Sequence, residues 1–94
     1  MARILLADDD VELSEMLADY LATEGFEVDT AHDGDAALEK ALAQSGDCFD
    51  LLILDVMMPG RNGFDVLREL RARSLLPVLM LTARGDDVDS IVGL

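Results

Sequence analysis

The stretch from Asp50 to Pro59, DLLILDVMMP, constrains the fold most. Its four consecutive apolar residues, Leu51 to Leu54, are too few for a helix of usual length and suit a strand covered on both faces, as a central parallel strand is. The run stops at a carboxylate, Asp55, and Pro59 with Gly60 then forces a loop. A lone carboxylate beside a core is costly unless it is paired, hydrogen-bonded or metal-bound. Asp55 therefore either caps that loop or belongs to a site.

The rest of the chain repeats this scheme. Arg3 to Ala7 is a first apolar run ending in Asp8, Asp9 and Asp10, with Asp10 placed to cap a helix beginning at the next residue. Leu13, Met16, Leu17, Tyr20 and Leu21 fall at the spacing of one helical face, and Gly25 ends that helix. Phe26 to Thr30 alternates apolar and polar residues, the pattern of a strand at a sheet edge. Asp33 and Gly34 open a second helix with Ala37, Leu38, Ala41 and Leu42 inside. Residues 50 to 54 form the third strand, and Phe64, Leu67 and Leu70 mark a third helix. Pro77 precedes a fourth strand, Val78 to Leu81, closed by Thr82 and Ala83. Val88, Ile91 and Val92 predict the inner face of a fourth helix that starts near Asp86 and Asp87, inside which the sequence stops at Leu94. Strand and helix alternate four times, which predicts an α/β fold: one domain over residues 1–94, a doubly wound parallel sheet with helices on both faces.

Charge narrows the function. The net charge is −13, and residues 1–55 hold 15 acids against 2 bases, while residues 56–94 hold 5 of each. That excess argues against direct nucleic-acid binding by this chain, which calls for a basic face, and suits a cation or a basic protein partner. The single cysteine, Cys48, cannot form an internal disulfide and fits a reducing compartment. The apolar run at the N-terminus falls short of the roughly 7 to 15 residues of a signal-peptide core, and no window approaches the about 18 of a membrane span. These features predict a cytoplasmic protein.

In open parallel sheets, sites form at the carboxyl ends of the strands, where strand order reverses. Asp8 and Asp9 follow the first strand, Asp55 the third and Thr82 the fourth. If strands one and three are neighbours, these acids converge, and each like-charge pair at ~4 Å costs about 4 kcal/mol at an effective dielectric of about 20. A hard divalent cation relieves that repulsion, and Mg2+ characteristically takes one or two carboxylates together with water and phosphate oxygens. A metal beside a nucleophilic carboxylate makes a phosphoryl-transfer site, since Asp can form an acyl phosphate.

The blocks Ile4 to Asp10 (ILLADDD), Leu54 to Gly63 (LDVMMPGRNG) and Val78 to Arg84 (VLMLTAR) resemble the signatures of the bacterial response-regulator receiver domain, in order and spacing, over all 94 residues. MMP and LTARG further resemble regulators with a winged-helix DNA-binding output. The resemblance implies a flavodoxin-like sheet of strand order 2-1-3-4-5, here without the fifth strand and fifth helix. It implies Asp55 as phosphoacceptor from a sensor histidine kinase, Mg2+ held by Asp9, Asp55 and the Met57 carbonyl with help from Asp8, and Thr82 as the switch hydroxyl. It also implies Ala83 as the small residue that lets the phosphoryl group pass, and Pro59 as the residue shaping the loop that carries Met57. Such a domain catalyses its own phosphorylation and dephosphorylation without turning over a separate substrate, and it switches dimerisation and a DNA-binding output absent from this chain. The family also uses a lysine and a switch aromatic at the fifth strand; the only lysine here, Lys40, sits in the second helix. Strand four, residues 78–81, is then an uncovered edge, and the bared sheet face beside helices one and four predicts self-association.

Two readings from other classes share parts of this pattern. A haloacid-dehalogenase-type phosphatase also uses a strand-end Asp, Mg2+ and a strand-end Thr, but its Asp-x-Asp pattern meets Met57 here. A receiver-like interaction module without phosphoryl chemistry would not need acids at positions 8, 9 and 55. Asp8 to Asp19 does not fit a calcium loop, with Leu13 where Gly is needed and Asp19 where Glu is usual. His32 has no second imidazole or thiol ligand near it in sequence, and Arg61, Arg68, Arg71 and Arg73 read as a solvated helix face.

Overall fold

The computed structural model of the chain describes residues 2–43, 49–58, 60–81 and 90–91. Its elements run β1 (Arg3–Ala7), α1 (Val11–Thr23), β2 (Glu27–Ala31), α2 (Gly34–Leu42), β3 (Leu51–Asp55), α3 (Gly63–Arg71), β4 (Val78–Leu81) and β5 (Ser90–Ile91). Strands β2, β1, β3 and β4 pair in that order and all in parallel. The expected doubly wound sheet is therefore present, with β2 at one edge.

Each described helix starts on a side chain that accepts an amide hydrogen from its first turn. Asp10 takes that of Leu13, Asp33 that of Ala36 and Asn62 that of Asp65. Gly25, just past α1, has a φ of 96°, as the end of that helix requires.

One face of the sheet is packed. Leu5, Ala7, Leu52, Leu54, Val78 and Met80 point toward α2 and α3 and bury against Ala37, Leu38, Val66 and Leu70. Ile4 and Leu6, on the other face, are buried as well. Leu51, Ile53, Leu79 and Leu81 on that second face are only half-buried, because α1 packs on β1 and β2 and does not reach over β3 and β4. The two-sided cover expected for strand three is thus complete on one side only.

Three expectations need correction. The α1 stripe divides: Ser14 is fully buried and Leu17 and Leu21 are half-buried, whereas Leu13, Met16 and Tyr20 are exposed. The helix is apolar over a wider arc than the sheet can cover, so periodicity locates the face without its borders. In α3 the inward residues are Val66 and Leu70, and Phe64 is exposed. Finally, Ser90 and Ile91 are not helical. They pair antiparallel with Met80 and Leu79 on the free edge of β4, where unpaired backbone groups attract a strand. Val88 and Val92, the other marks of the expected fourth helix, lie outside the described residues, as do Cys48 and Pro59.

The arginines are also more engaged than a solvated face implies. Arg61 pairs with Asp35 and Glu69, Arg68 with Asp65, and the Arg71 guanidinium donates to the carbonyls of Ser74 and Leu76, fastening the α3–β4 connection.

Candidate functional site

The β1–β3 ladder sets Ala7 opposite Leu54, which brings the residues after β1 beside the end of β3. Asp8, Asp9 and Asp55 each offer a carboxylate oxygen there, and these oxygens lie within 4.8 Å of one another. Asp8 is buried, Asp55 half-buried and Asp9 exposed, so the cluster opens to solvent on one side. Asp55 is the last residue of β3 rather than the first of the loop, so the ladder itself fixes its backbone.

Local hydrogen bonds hold each half. The Asp8 amide donates to the Ala31 carbonyl (3.0 Å), and an Asp8 carboxylate oxygen accepts the Asp10 amide (2.9 Å). The Asp8 carbonyl faces His32 Nδ1 at 3.0 Å and the Ser14 hydroxyl at 3.4 Å. On the other side the Met57 amide donates to Asp55 Oδ1 (3.2 Å), and the Val56 amide donates to the Leu81 carbonyl (2.9 Å). The Gly63 amide returns to the Val56 carbonyl at 2.9 Å. Gly63 has no room for a side chain, because a Cβ there would lie 2.6 Å from the Asp55 carbonyl oxygen. The start of α3 is thus pressed onto the end of β3.

The electrostatics follow from this crowding. Burial, then the negative charges of Asp8 and Asp9, together with the hydrogen bond that the protonated Asp55 carboxyl donates to the Asp8 carboxylate, push the Asp55 carboxyl up to about 6 from an ordinary value of 3.8, against the opposing pull of the Met57 amide. Convergent hard oxygen donors carrying excess negative charge fit a small divalent cation of the Mg2+ class.

Of the residues singled out from sequence, Asp8, Asp9 and Asp55 come together, the Met57 backbone adjoins them, and Asp10 serves as the cap of α1. Thr82 and Ala83 lie outside the described residues. Lys40 is engaged on β2, its ammonium on Asp29 (3.1 Å) and the Thr30 carbonyl (2.7 Å). Sequence reasoning assigned no role to Ser14, His32, Gly63 and Arg61; the contacts of the last three arise only from the tertiary arrangement, and Ser14 also bonds the Asp10 carbonyl one turn back at 2.8 Å. His32 had one available signal, its place at the end of β2 on the same edge of the sheet.

Residues 4–94 match the family described as response regulator receiver domain. The transcriptional regulatory protein CpxR of Klebsiella pneumoniae is 54% identical over 94 residues, covering 100% of this chain and 39% of the relative. This chain therefore spans about two fifths of the length of the curated relatives it matches. Among solved structures, the response regulator TrrA of Thermotoga maritima in complex with Mg2+-BeF is 43% identical with a TM-score of 0.79, over 88% of this chain and 70% of that one. TrrA in its complex with the histidine kinase ThkA gives a TM-score of 0.83 at 40% identity, over 96% and 76% of the two chains. A parallel sheet in the receiver order, an acid cluster at the β1–β3 edge and these likenesses lead to one conclusion: the chain belongs to the response regulator receiver domain family.

Proposed function

We propose that the chain is a phosphoryl-accepting switch in which Asp55 takes the phosphoryl group from a phosphohistidine of a sensor histidine kinase or from a small acyl phosphate. The observation that carries this reading is the convergence of the Asp8, Asp9 and Asp55 oxygens within 4.8 Å. An Asp55 oxygen attacks phosphorus, the bond from phosphorus to the donor nitrogen or acyl oxygen breaks, and its electron pair leaves with the donor. Without a cation the crowding raises the Asp55 carboxyl; a cation beside it would supply the opposite charge that favours its ionised, attacking form. Asp9, Asp55 and the Met57 carbonyl hold Mg2+, with Asp8 assisting; when bound, the ion supplies positive charge against that developing on the transferred group. The Met57 amide orients the Asp55 carboxylate, Thr82 donates its hydroxyl to a phosphoryl oxygen, and Ala83 leaves room for the group to enter.

The ThkA–TrrA complex supports a kinase partner for this chain, and the name of the CpxR relatives supports a role in controlling transcription through an output domain. In this reading the chain promotes its own phosphorylation and hydrolysis and has no separate substrate. Phosphorylation switches dimerisation and, through it, a DNA-binding output.

Incubation of the full-length protein with acetyl phosphate and Mg2+ tests the assignment. One acid-stable, base-labile phosphoryl group is expected, lost in Asp55→Asn and retained with a weaker conformational response in Thr82→Ala. A group that persists in Asp55→Asn overturns it.

A further inference from the structure

We propose that the turn between β2 and α2, His32 to Asp35, is a positioning bracket that grips the Asp8 backbone at one end and the β3–α3 loop at the other, holding the two halves of the acid cluster against each other. This inference rests on the metal-binding reading above.

The first grip is a pair of main-chain contacts. Both backbone groups of Asp8 are taken by consecutive residues, its amide by the Ala31 carbonyl and its carbonyl by His32 Nδ1, each at 3.0 Å. A carbonyl oxygen only accepts, so in this contact Nδ1 carries the hydrogen and donates it. Ala31 closes the β1–β2 ladder, opposite Ala7. His32 therefore extends the hold one step past the last strand pair, to the residue that carries a cluster carboxylate.

The second grip lies two residues on. A Cβ at Gly34 would sit 2.6 Å from both Cβ and the carbonyl oxygen of Arg61, so the start of α2 rests directly on the loop main chain. The Arg61 guanidinium then reaches Asp35 through Nε at 2.9 Å and Glu69 through Nη1 at 2.7 Å, clamping the loop between α2 and α3. Exposed ion pairs hold weakly one at a time; here two share one guanidinium above a backbone contact that leaves no space for a side chain. Between the grips, Asp33 fixes the turn by accepting the Ala36 amide at 2.7 Å.

The need for a bracket follows from the charges. The pairing of the two strands with each other ends at Ala7 and Leu54, and just beyond it the three carboxylates repel one another. A support outside the ligand set that opposes this repulsion preserves the spacing a cation requires, and loss of such outer contacts typically lowers metal affinity about 10- to 100-fold.

Mg2+ titration by calorimetry into the full-length protein tests the proposal, at a temperature where circular dichroism finds every variant folded. His32→Phe keeps the ring and loses the donor, His32→Asn presents an amide donor near the place of Nδ1, and Arg61→Ala releases the loop. The expected result is an about tenfold weaker Mg2+ affinity in His32→Phe and in Arg61→Ala, with most of the loss restored in His32→Asn. Equal affinities in all variants, or an Asn variant as weak as the Phe variant, overturn the bracket while leaving the metal reading intact. A wild-type protein that binds no Mg2+ overturns the metal reading itself. Variants that melt lower in EDTA yet bind Mg2+ as wild type does mark these residues as structural only, and that also overturns the proposal.

Discussion

A carboxyl raised to about 6 in the folded protein makes stability fall as pH rises, the reverse of an ordinary salt-bridged acid. Between about pH 4 and 6, without a cation, the folded chain binds the Asp55 proton more tightly than the unfolded chain does, so the contribution of Asp55 to the unfolding free energy declines across that window and levels off above it. In EDTA, Asp55→Asn is expected to be more stable than wild type at pH 7 by on the order of 1 kcal/mol, since the half-exposed site screens part of the effect, with the gap closing below about pH 4. Thermal melts of both proteins from pH 4 to 7 check this; a gap that does not change with pH refutes the origin assigned to it. Saturating Mg2+ is expected to add about 2.7 kcal/mol at 100 times its dissociation constant, and only to wild type. The three acids were legible in the sequence because each follows an apolar run at a strand end, where a charge needs a reason. His32 and Ser14 were not, because their partner is a backbone carbonyl whose position only the folded chain defines.

At the level of elements, sequence was informative wherever local chemistry decides and weak wherever packing does. Asp10 and Asp33 were readable as helix starts, and Asp33→Ala is expected to cost about 1 kcal/mol, measured by urea denaturation, through the loss of its bond to the Ala36 amide. Gly63→Ala is expected to cost more, about 2 kcal/mol or above, because the added methyl meets backbone on the β3 side that cannot rotate away. If the two substitutions prove equal, the start of α3 has slack against β3 that the close Gly63 contact rules out. The strand positions were right to within one residue, since short apolar runs between turn residues leave little freedom. Of the helix expected from Asp86 onward only Ser90 and Ile91 are described, and these two differ for a definite reason: helical spacing of a few apolar residues is weak evidence beside a strand edge with unpaired amides, which pairs with them. The exposed side of α1 was misjudged because the width of the sheet beneath it is not written in the helix.

For the molecule as a whole, Leu13, Met16 and Tyr20 on α1 and the half-buried Leu51, Ile53, Leu79 and Leu81 leave one side of the sheet apolar and incompletely covered. The 94-residue chain is expected to self-associate on that side, and because its net charge of −13 opposes contact, raising salt from about 0.05 to 0.5 M promotes it. Sedimentation at micromolar concentration checks both; a monomer at both salt levels refutes them. The edge of β4 is a smaller hazard than its sequence implied, since Ser90 and Ile91 occupy part of it. The pairing of β1 with β3 also bears on time. Asp8 and Asp55 are far apart along the chain and meet only when a parallel pair with a crossover between them has closed, a slow and late event. The carboxylates lie just beyond the last pair of that ladder, so their repulsion is expected to weigh on the finished fold more than on the barrier before it. In a chevron plot, Mg2+ and Asp55→Asn are thus each expected to lower the unfolding arm and leave the refolding arm where it is, making the cation a brake on opening rather than a guide to folding.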